Sequence, residues 1–555
     1  MNTQLELVDR KPAPASRIFL FALVALIATM IAPKSTFAIE RDDLFLMQTA
    51  HNFEQQRELG FRPRRDVEPW PLELPLNWAA DPFEDRNWRF QLNAWRMIDP
   101  YIVAYFKSGD VQLLAEALEY VEDWHAFHAD DDHGNSFAWY DMSTGIRALR
   151  IAFFLDLIEK SELAVTPQQR QALDELAGEH AERLQDLNFL TTGNHGLFQV
   201  FGLNLLCLVA SDVEECEGGR ELAATYLKDE ILPAQFTPQG VHKENSPTYH
   251  YFTIRSIERL GGTRHIDVPE IREILDRAAA ITPWFSFPSG NVARIGDSEG
   301  RLETLAEDPA EPECLTDDAC YAVGDFTDSG YAIVRSLPSG DPQSMIFMAG
   351  MGFSTSHKHA DDLSFELFEF GQLIFADSGK YGYNEDAMRS YVVSAAAHNT
   401  ISIDGVETRP KDVDLTGSQL DPIEMTDDGF VLAGRINRPS NFSQDRTITY
   451  WPGRHLKIRD ELASFPWRRQ FVSSLHLAPD LEPELTENGF TIAIGENRVE
   501  AVLVEDDCRI ETVRGQEEPL LGWFSESYLK MTPTSVVRAI CPGWRRSISW
   551  EIGFE

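Results

Sequence analysis

Between about residue 85 and residue 300, apolar side chains return every three or four positions, the spacing that lines them along one face of an α-helix. Val111, Leu114, Leu118 and Val121 make one stripe, Ile146, Leu149, Phe153 and Leu157 a second, and Leu173, Leu176, His180, Leu184 and Leu187 a third. The third helix has a legible start: Thr166 can cap free amides, Pro167 suits a first turn, and Gln169 can close a capping box. Amphipathic helices joined by short breaks must bury their faces against one another, so a helix-on-helix domain is expected here.

The helical period is lost across Leu302–Asp325, where prolines and acids gather around Cys314. Two-residue alternation follows in Tyr331–Arg335, Leu363–Leu367, Gln372–Phe375, Thr400–Ile403, Thr447–Trp451, Phe471–Leu477 and Phe490–Ile494. Short strands punctuated by Gly, Asp, Asn and Pro predict an antiparallel β-sandwich. The chain is therefore read as multidomain, α then β, with a helical domain over 39–310 and a sandwich over 325–555.

Ahead of both lies Ile18–Ala32, an apolar run behind a weakly basic stretch and ahead of Ala38, which reads as a secretory signal over 1–38. The run is short for a membrane span, so no stable span is expected after cleavage; an uncleaved anchor is the alternative. A periplasmic or secreted protein is the expectation. Six cysteines suit an oxidising compartment and permit up to three bridges, with Cys314 and Cys320 placed to close a short loop.

Eighty-nine acidic residues against 49 basic ones leave a formal net charge of −40, which argues against binding nucleic acid or an anionic membrane surface. A polyanionic substrate would need a locally basic cleft.

Candidate chemistry sits at three places. Thr191-Thr-Gly-Asn194-His195-Gly196 is a polar break between apolar helices, able to present an amide and an imidazole, or merely to cap a helix. Gly240-Val-His242-Lys243-Glu-Asn-Ser246-Pro-Thr-Tyr249-His250 crowds ionisable and aromatic groups around one proline, although a lone tyrosine is more often a half-buried core residue. Ser356-His357-Lys-His359-Ala-Asp361 leads toward a strand, and on extended backbone both imidazoles would leave one face. With Asp377 and His398 downstream, two histidines and a carboxylate form a ligand set suited to zinc.

Together these stretches resemble the heparinase II/III-like polysaccharide lyases and the related alginate and oligoalginate lyases. The resemblance rests on Asn194-His195, Ser246-Pro-Thr-Tyr249-His250, His357-Lys-His359-Ala-Asp361, Asp377-Ser-Gly379, and Arg389-Ser-Tyr391 leading into Ala397-His398-Asn-Thr400. Order and spacing also match, with 54 positions from His195 to Tyr249, 18 from His359 to Asp377 and 39 from His359 to His398. It covers roughly residues 85 to 480. It implies an incomplete (α/α) toroid followed by the antiparallel β-sandwich, with the active cleft between them.

By the same resemblance, Asn194 and His195 would neutralise a uronate carboxylate and Tyr249 would serve as general base or acid. His357 would line the cleft from the sandwich, and Tyr383 lies near where relatives place a second tyrosine. His250, Lys243 and Arg389 are candidate substrate-binding cations. His359, Asp377 and His398 would hold zinc or another divalent cation in a structural role. Phe198 stands where some relatives carry an ionisable residue, a departure that bears on substrate class.

The expectation is β-elimination on an acidic polysaccharide or oligosaccharide containing uronate. Donors such as Asn194 would stabilise the charge that develops on the carboxylate when its α-proton leaves. Tyr249, with an ordinary pKa near 10, would need a neighbouring cation to act as a base. Metal-assisted hydrolysis of a glycan or its ester, and non-catalytic glycan binding, stand as alternatives; a homodimer is left open.

Overall fold

The computed structural model describes residues 39–555 except 130–132, 260–264, 267, 303–308, 310, 341–342, 351, 411–417, 439–441 and 465–468. The proposed signal, 1–38, lies outside the described residues.

The helical half follows the hydrophobic stripes into an incomplete α/α toroid. Helices Gln112–His128, Asp141–Glu159, Pro167–Leu184 and Asn194–Val209 bury the expected faces, with Val111 and Leu187 left exposed at the ends of their stripes. Thr166 and Gln169 form the expected reciprocal cap. Helix Asp141–Glu159 is buried almost all round because a second helix, Asn194–Val209, runs against it at glycine contacts. A Cβ on Gly145 would lie 2.3 Å from the Phe198 carbonyl oxygen, and one on Gly202 would lie 2.5 Å from that of Gly145. Any larger residue would push the pair apart. Phe198 is wholly buried, edge-on to Phe45 at 4.8 Å, so it fills the core and does not face the cleft. At the toroid's centre Arg147 is sandwiched among Trp95, Trp124 and Trp139 and donates to His180 Nε2 (3.0 Å) and the Asn93 carbonyl (2.7 Å). Its cation is thus both hydrogen-bonded and held against aromatic faces.

The sandwich half opens with a six-stranded antiparallel sheet in chain order: β1 (Glu313–Thr316), β2 (Ala319–Phe326), β3 (Tyr331–Ser336), β4 (Met345–Ala349), β5 (Phe365–Glu369) and β6 (Gln372–Phe375). This corrects the boundary drawn from sequence. The sheet begins at Glu313, ahead of 325, because Cys314 and Cys320 face each other across β1 and β2 and are bridged. Bridges Cys207–Cys216 and Cys508–Cys541 pair the remaining cysteines.

A larger antiparallel sheet is built on the long strands Gly429–Arg438, Phe442–Trp451, His455–Ser464 and Ser547–Phe554. Along Phe442–Trp451, alternate residues Phe442, Gln444, Arg446, Ile448 and Tyr450 point inward. One of these bears on the site. Buried Arg446 pairs with Asp460 (2.7 Å) and donates to the carbonyls of Leu363 (2.7 Å) and Asn399 (2.5 Å). Asn399 in turn donates to the carbonyls of Phe365 (2.8 Å) and Ala376 (3.1 Å). One polar knot therefore fastens the three segments that carry His359, Asp377 and His398. Burying it is tolerable because its donors and carbonyls find partners.

No described helix is long and apolar enough to cross a membrane.

Candidate active site

The cleft is assembled from both halves. Asn194 is the first residue of helix Asn194–Val209, whose N-cap, Gly193, offers no side chain. The Asn194 amide is therefore not used as a cap, and the start of a sixteen-residue helix, with its free N–H groups, favours an anion there. His195 follows, its Nδ1 3.0 Å from Asp141 Oδ1. Burial opposes ionisation of Asp141, yet the His195 bond and charge together with the Met142 amide outweigh it and hold its pKa below the usual range. An ionised Asp141 only accepts, so Nδ1 of His195 carries a proton, which leaves Nε2 to accept when the ring is neutral and to donate when it is protonated.

Tyr249 sits in the first turn of helix Pro247–Arg259, and its phenol oxygen lies 2.5 Å from that of Tyr383 in the sandwich. Its ring stacks on His357, centroids 3.5 Å apart and planes 14° from parallel. Burial pushes the Tyr249 phenol up to about 12, reinforced by the charges of Asp297, Glu244 and Glu299 and opposed by the Tyr383 hydrogen bond. Burial and the neighbouring Tyr249 likewise push Tyr383 up. Lys380 Nζ, paired with Glu299 at 2.9 Å, lies 5.9, 5.3 and 5.7 Å from the ring centroids of Tyr249, Tyr383 and Tyr528.

His357 departs from the extended geometry expected for it. Its φ is +54°, in the left-handed region, and no strand forms over 356–363. The two histidines of the motif consequently do not share a face toward the cleft. His357 reaches Asp297 Oδ2 through Nδ1 (3.1 Å) and Glu244 through Nε2 (3.3 Å), at the cleft wall. His359 turns inward, fully buried, with Nε2 3.0 Å from Asp297 Oδ1. Burial works against a charged His357, but hydrogen bonds to Asp297 and Glu244 outweigh it and raise its pKa. That ring is the one stacked on the Tyr249 face.

The loop that carries His357 is held to the toroid by Asn245, whose Nδ2 donates to the carbonyls of Ser354 (2.9 Å) and Ser356 (3.0 Å). Asn245 itself has φ +57°. Gly296 is required beside it: a Cβ there would lie 2.4 Å from the Asn245 carbonyl oxygen and 2.6 Å from that of His357.

Three residues missed in the sequence complete the site: Asp141, Glu244 and, above all, Asp297. Asp297 lies in the connector between domains, in Gly296-Asp297-Ser298-Glu299. An acid-rich turn built on a glycine was a visible signal, but nothing local to it says what it faces.

The candidate substrate-binding cations need correction. His250 is buried, its Nδ1 accepting from the His242 amide and its Nε2 3.1 Å from the Ala278 carbonyl. Burial pushes its pKa down to about 3, so it is a neutral core residue and neither binds substrate nor supplies charge to Tyr249. Arg389 spends its guanidinium on Asp297, with Nη2 3.0 Å from Oδ2 and Nη1 bonded to Oδ1. It holds Asp297 with one N–H of each terminal nitrogen, and its side chain stays 20% exposed. Lys243 is half-buried and donates to the Pro233 carbonyl at 2.7 Å.

Ligand atoms of His359, Asp377 and His398 lie within 4.8 Å of one another, and all three residues are buried. His398 Nδ1 is 2.8 Å from Asp377 Oδ2, while His359 Nδ1 and His398 Nε2 have no hydrogen-bond partner. Bare buried ring nitrogens beside a carboxylate are costly unless something occupies the space between them. The donor set fits a divalent cation of zinc type, with Asp297 as the acceptor behind His359.

Comparison with known proteins follows the same division. Residues 41–302 match the heparinase II/III N-terminal family model and residues 321–551 match the heparinase II/III-like C-terminal model. A heparin-sulfate lyase of Bacteroides thetaiotaomicron is 22% identical over 397 residues, covering 62% of this chain and 56% of its own. One of Pedobacter heparinus is 22% identical over 416 residues, covering 67% and 60%. The chain thus spans about three fifths of the length of these curated relatives. A crystal structure of heparinase III superposes with a TM-score of 0.69 at 16% identity, covering 94% of this chain and 85% of that one. Heparan sulfate lyase HepC from Pedobacter heparinus gives 0.64 at 15%, again covering 94% and 85%. These likenesses establish the toroid-plus-sandwich fold.

Proposed function

This chain belongs to the heparinase II/III-like family, and from that premise we propose that it is a polysaccharide lyase cleaving a uronate-containing glycosaminoglycan by β-elimination. One observation carries the reading: the Tyr249 phenol of the toroid meets the Tyr383 phenol and the His357 ring of the sandwich, and Glu244, beside His357, lies against Gly193 at the head of the helix that carries Asn194 and His195.

Bound there, the uronate carboxylate is met by the Asn194 amide and by His195, at the start of a helix. Stabilising the charge that accumulates on that carboxylate as C5 loses its proton is an oxyanion-type contribution of several kcal/mol per well-placed donor. The hydrogen-bonded pair Tyr249 and Tyr383 then handles protons. One tyrosine, as its phenolate, takes the C5 proton and the other, as the phenol, gives its proton to the departing 4-oxygen; a proton passed back across their hydrogen bond restores the starting pair. For a sugar whose C5 proton lies on the opposite face, Nε2 of His195, backed by Asp141, is the base on the toroid side. A phenol pushed up to about 12 seldom ionises, and the Tyr383 hydrogen bond eases formation of the phenolate.

His359, Asp377 and His398 would hold zinc or another divalent cation, whose charge would fasten three loops of the sandwich. These ligands are wholly buried, which supports a structural ion and disfavours hydrolysis by metal-bound water at the cleft. The run Ile18–Ala32 and three disulfides with no free cysteine among the described residues support export to the periplasm or beyond.

The test is incubation with heparan sulfate, heparin, chondroitin sulfate and alginate, following the ultraviolet absorbance of the unsaturated uronate. Elimination on at least one polymer, abolished in Tyr249→Phe, is the expected result. New reducing ends without that absorbance would replace elimination by hydrolysis, and a fully active Tyr249→Phe would remove the proton-transfer assignment.

A further inference from the structure

We propose that Asp297 is a positioning residue tying the buried ion site to the cleft, so that filling His359, Asp377 and His398 sets how His357 is held against Tyr249. The meaning of His357 rests on the lyase reading above; the test is arranged so that each can fail alone.

Asp297 comes from neither domain's motifs but from the connector, and its side chain is 1% exposed. Each of its oxygens accepts from a different imidazole: Oδ2 from His357 Nδ1 at 3.1 Å and Oδ1 from His359 Nε2 at 3.0 Å. Arg389 forks onto both oxygens from a third side. The main chain locks the same junction, since the Asp297 amide donates to the His357 carbonyl at 3.1 Å and the Asp297 carbonyl accepts from Ser246 at 3.0 Å. The path is unbroken: Asp377, His398 and His359 on the ion side, then Asp297, then His357 stacked on Tyr249.

An ionised carboxylate can only accept. Facing two rings, it requires a proton on Nδ1 of His357 and on Nε2 of His359. That leaves His359 Nδ1 bare, the atom with no partner that points toward Asp377 and His398. On its other side His357 meets Glu244 through Nε2. A ring that binds a cation through one nitrogen donates more strongly through the other, so filling the ion site tightens the grip of His359 on Asp297 and fixes the angle at which Oδ2 meets His357.

The bland account is that Asp297 merely neutralises Arg389 and fills space. An isosteric amide separates the two. Asparagine offers one accepting oxygen and one donating NH₂, so Asp297→Asn cannot accept from both rings. The ring that meets NH₂ must carry its proton on the other nitrogen. If that ring is His359, Nδ1 is protonated and lost as a ligand. If it is His357, its Nδ1–H loses its acceptor and the ring loses its hold on the cleft wall.

The experiment compares wild type with Asp297→Asn after equilibration with zinc and dialysis, reading zinc per chain, melting temperature, and kcat and KM on a uronate polymer that wild type cleaves. The expected variant melts within a few degrees of wild type and either holds less than half as much zinc or loses on the order of 100-fold or more in kcat with little change in KM. Wild-type zinc content together with kcat within threefold would overturn the proposal. Should the variant not fold, histidine-labelled wild type supplies the decision by NMR. Ring signals of His357, assigned by their loss in His357→Gln, should shift on EDTA treatment and return on addition of zinc. If those of His359 and His398 move and those of His357 do not, the coupling is absent. A wild type that yields no unsaturated product on any uronate polymer sinks the lyase reading instead, and zinc content with the ring signals still judges Asp297.

Discussion

Tyr383→Phe removes one hydroxyl and little else. The Tyr383 ring is 46% exposed at the edge of the cleft, so the substitution opens no core cavity, and the stack of Tyr249 on His357 does not involve the lost oxygen. What disappears is the 2.5 Å contact that stabilises a Tyr249 phenolate. Burial already pushes Tyr249 up to about 12, and the Tyr383 hydrogen bond is the leading influence in the opposite direction. A hydrogen bond contributes about 1 kcal/mol net, and one pKa unit corresponds to about 1.4 kcal/mol, so its loss should raise the Tyr249 pKa by about 0.7 unit. Below that pKa the reactive phenolate fraction, and with it kcat, falls about fivefold, and the alkaline rise of the rate moves to higher pH by the same interval. If Tyr383 also returns the proton to the leaving oxygen, the loss deepens toward the 10²–10⁴ range of general acid catalysis, about. The assay is kcat against pH from ultraviolet product absorbance. An unchanged kcat with an unchanged pH profile would refute the shared-proton pair, since the contact would then serve neither protonation state.

Two further outcomes are expected. Asp141→Asn removes the acceptor that orients His195, so kcat/KM should fall on the order of 10- to 100-fold while the fold, read by circular dichroism, is kept; undiminished kcat/KM would show that His195 needs no such support. His242 and His250 are fully buried and pushed by burial down to about 4 and 3, against about 6.5 in an unfolded chain. Between those values the unfolded state binds more protons, so stability is complete above about pH 6.5 and lost as pH falls, by up to about 1.4 kcal/mol per pH unit per histidine. Melting temperature should therefore drop from pH 7 to pH 5, less steeply in His250→Asn, and equal slopes in the two proteins would contradict the assignment.

Much of this was local and hence readable in advance. Helix stripes, the Thr166 cap and the alternating strands follow from spacing alone, because a helix or strand is built from neighbours in sequence. Asn194, His195, Tyr249 and His357 could be singled out because each lies in a run unusual for its residue types. Less local facts were misjudged. His250 reads as a cleft cation beside Tyr249, but one further step round the helix turns it into the core, where only a neutral ring is affordable. Arg389 reads as a free cation until its carboxylate is found 92 positions away.

What the amino-acid order determined by itself was the α-then-β division, the cysteine pair at 314 and 320, and the residue types available for elimination and for an ion site. Tertiary structure alone decided that Tyr249 meets Tyr383 across 134 positions, that His357 and His359 part company, and that a connector aspartate grips both rings. The physical reason is range. Propensity and periodicity act over a few residues, whereas a buried carboxylate or phenol is assigned its partner, its charge state and its role by whichever distant side chains the closing of two domains brings within hydrogen-bond reach.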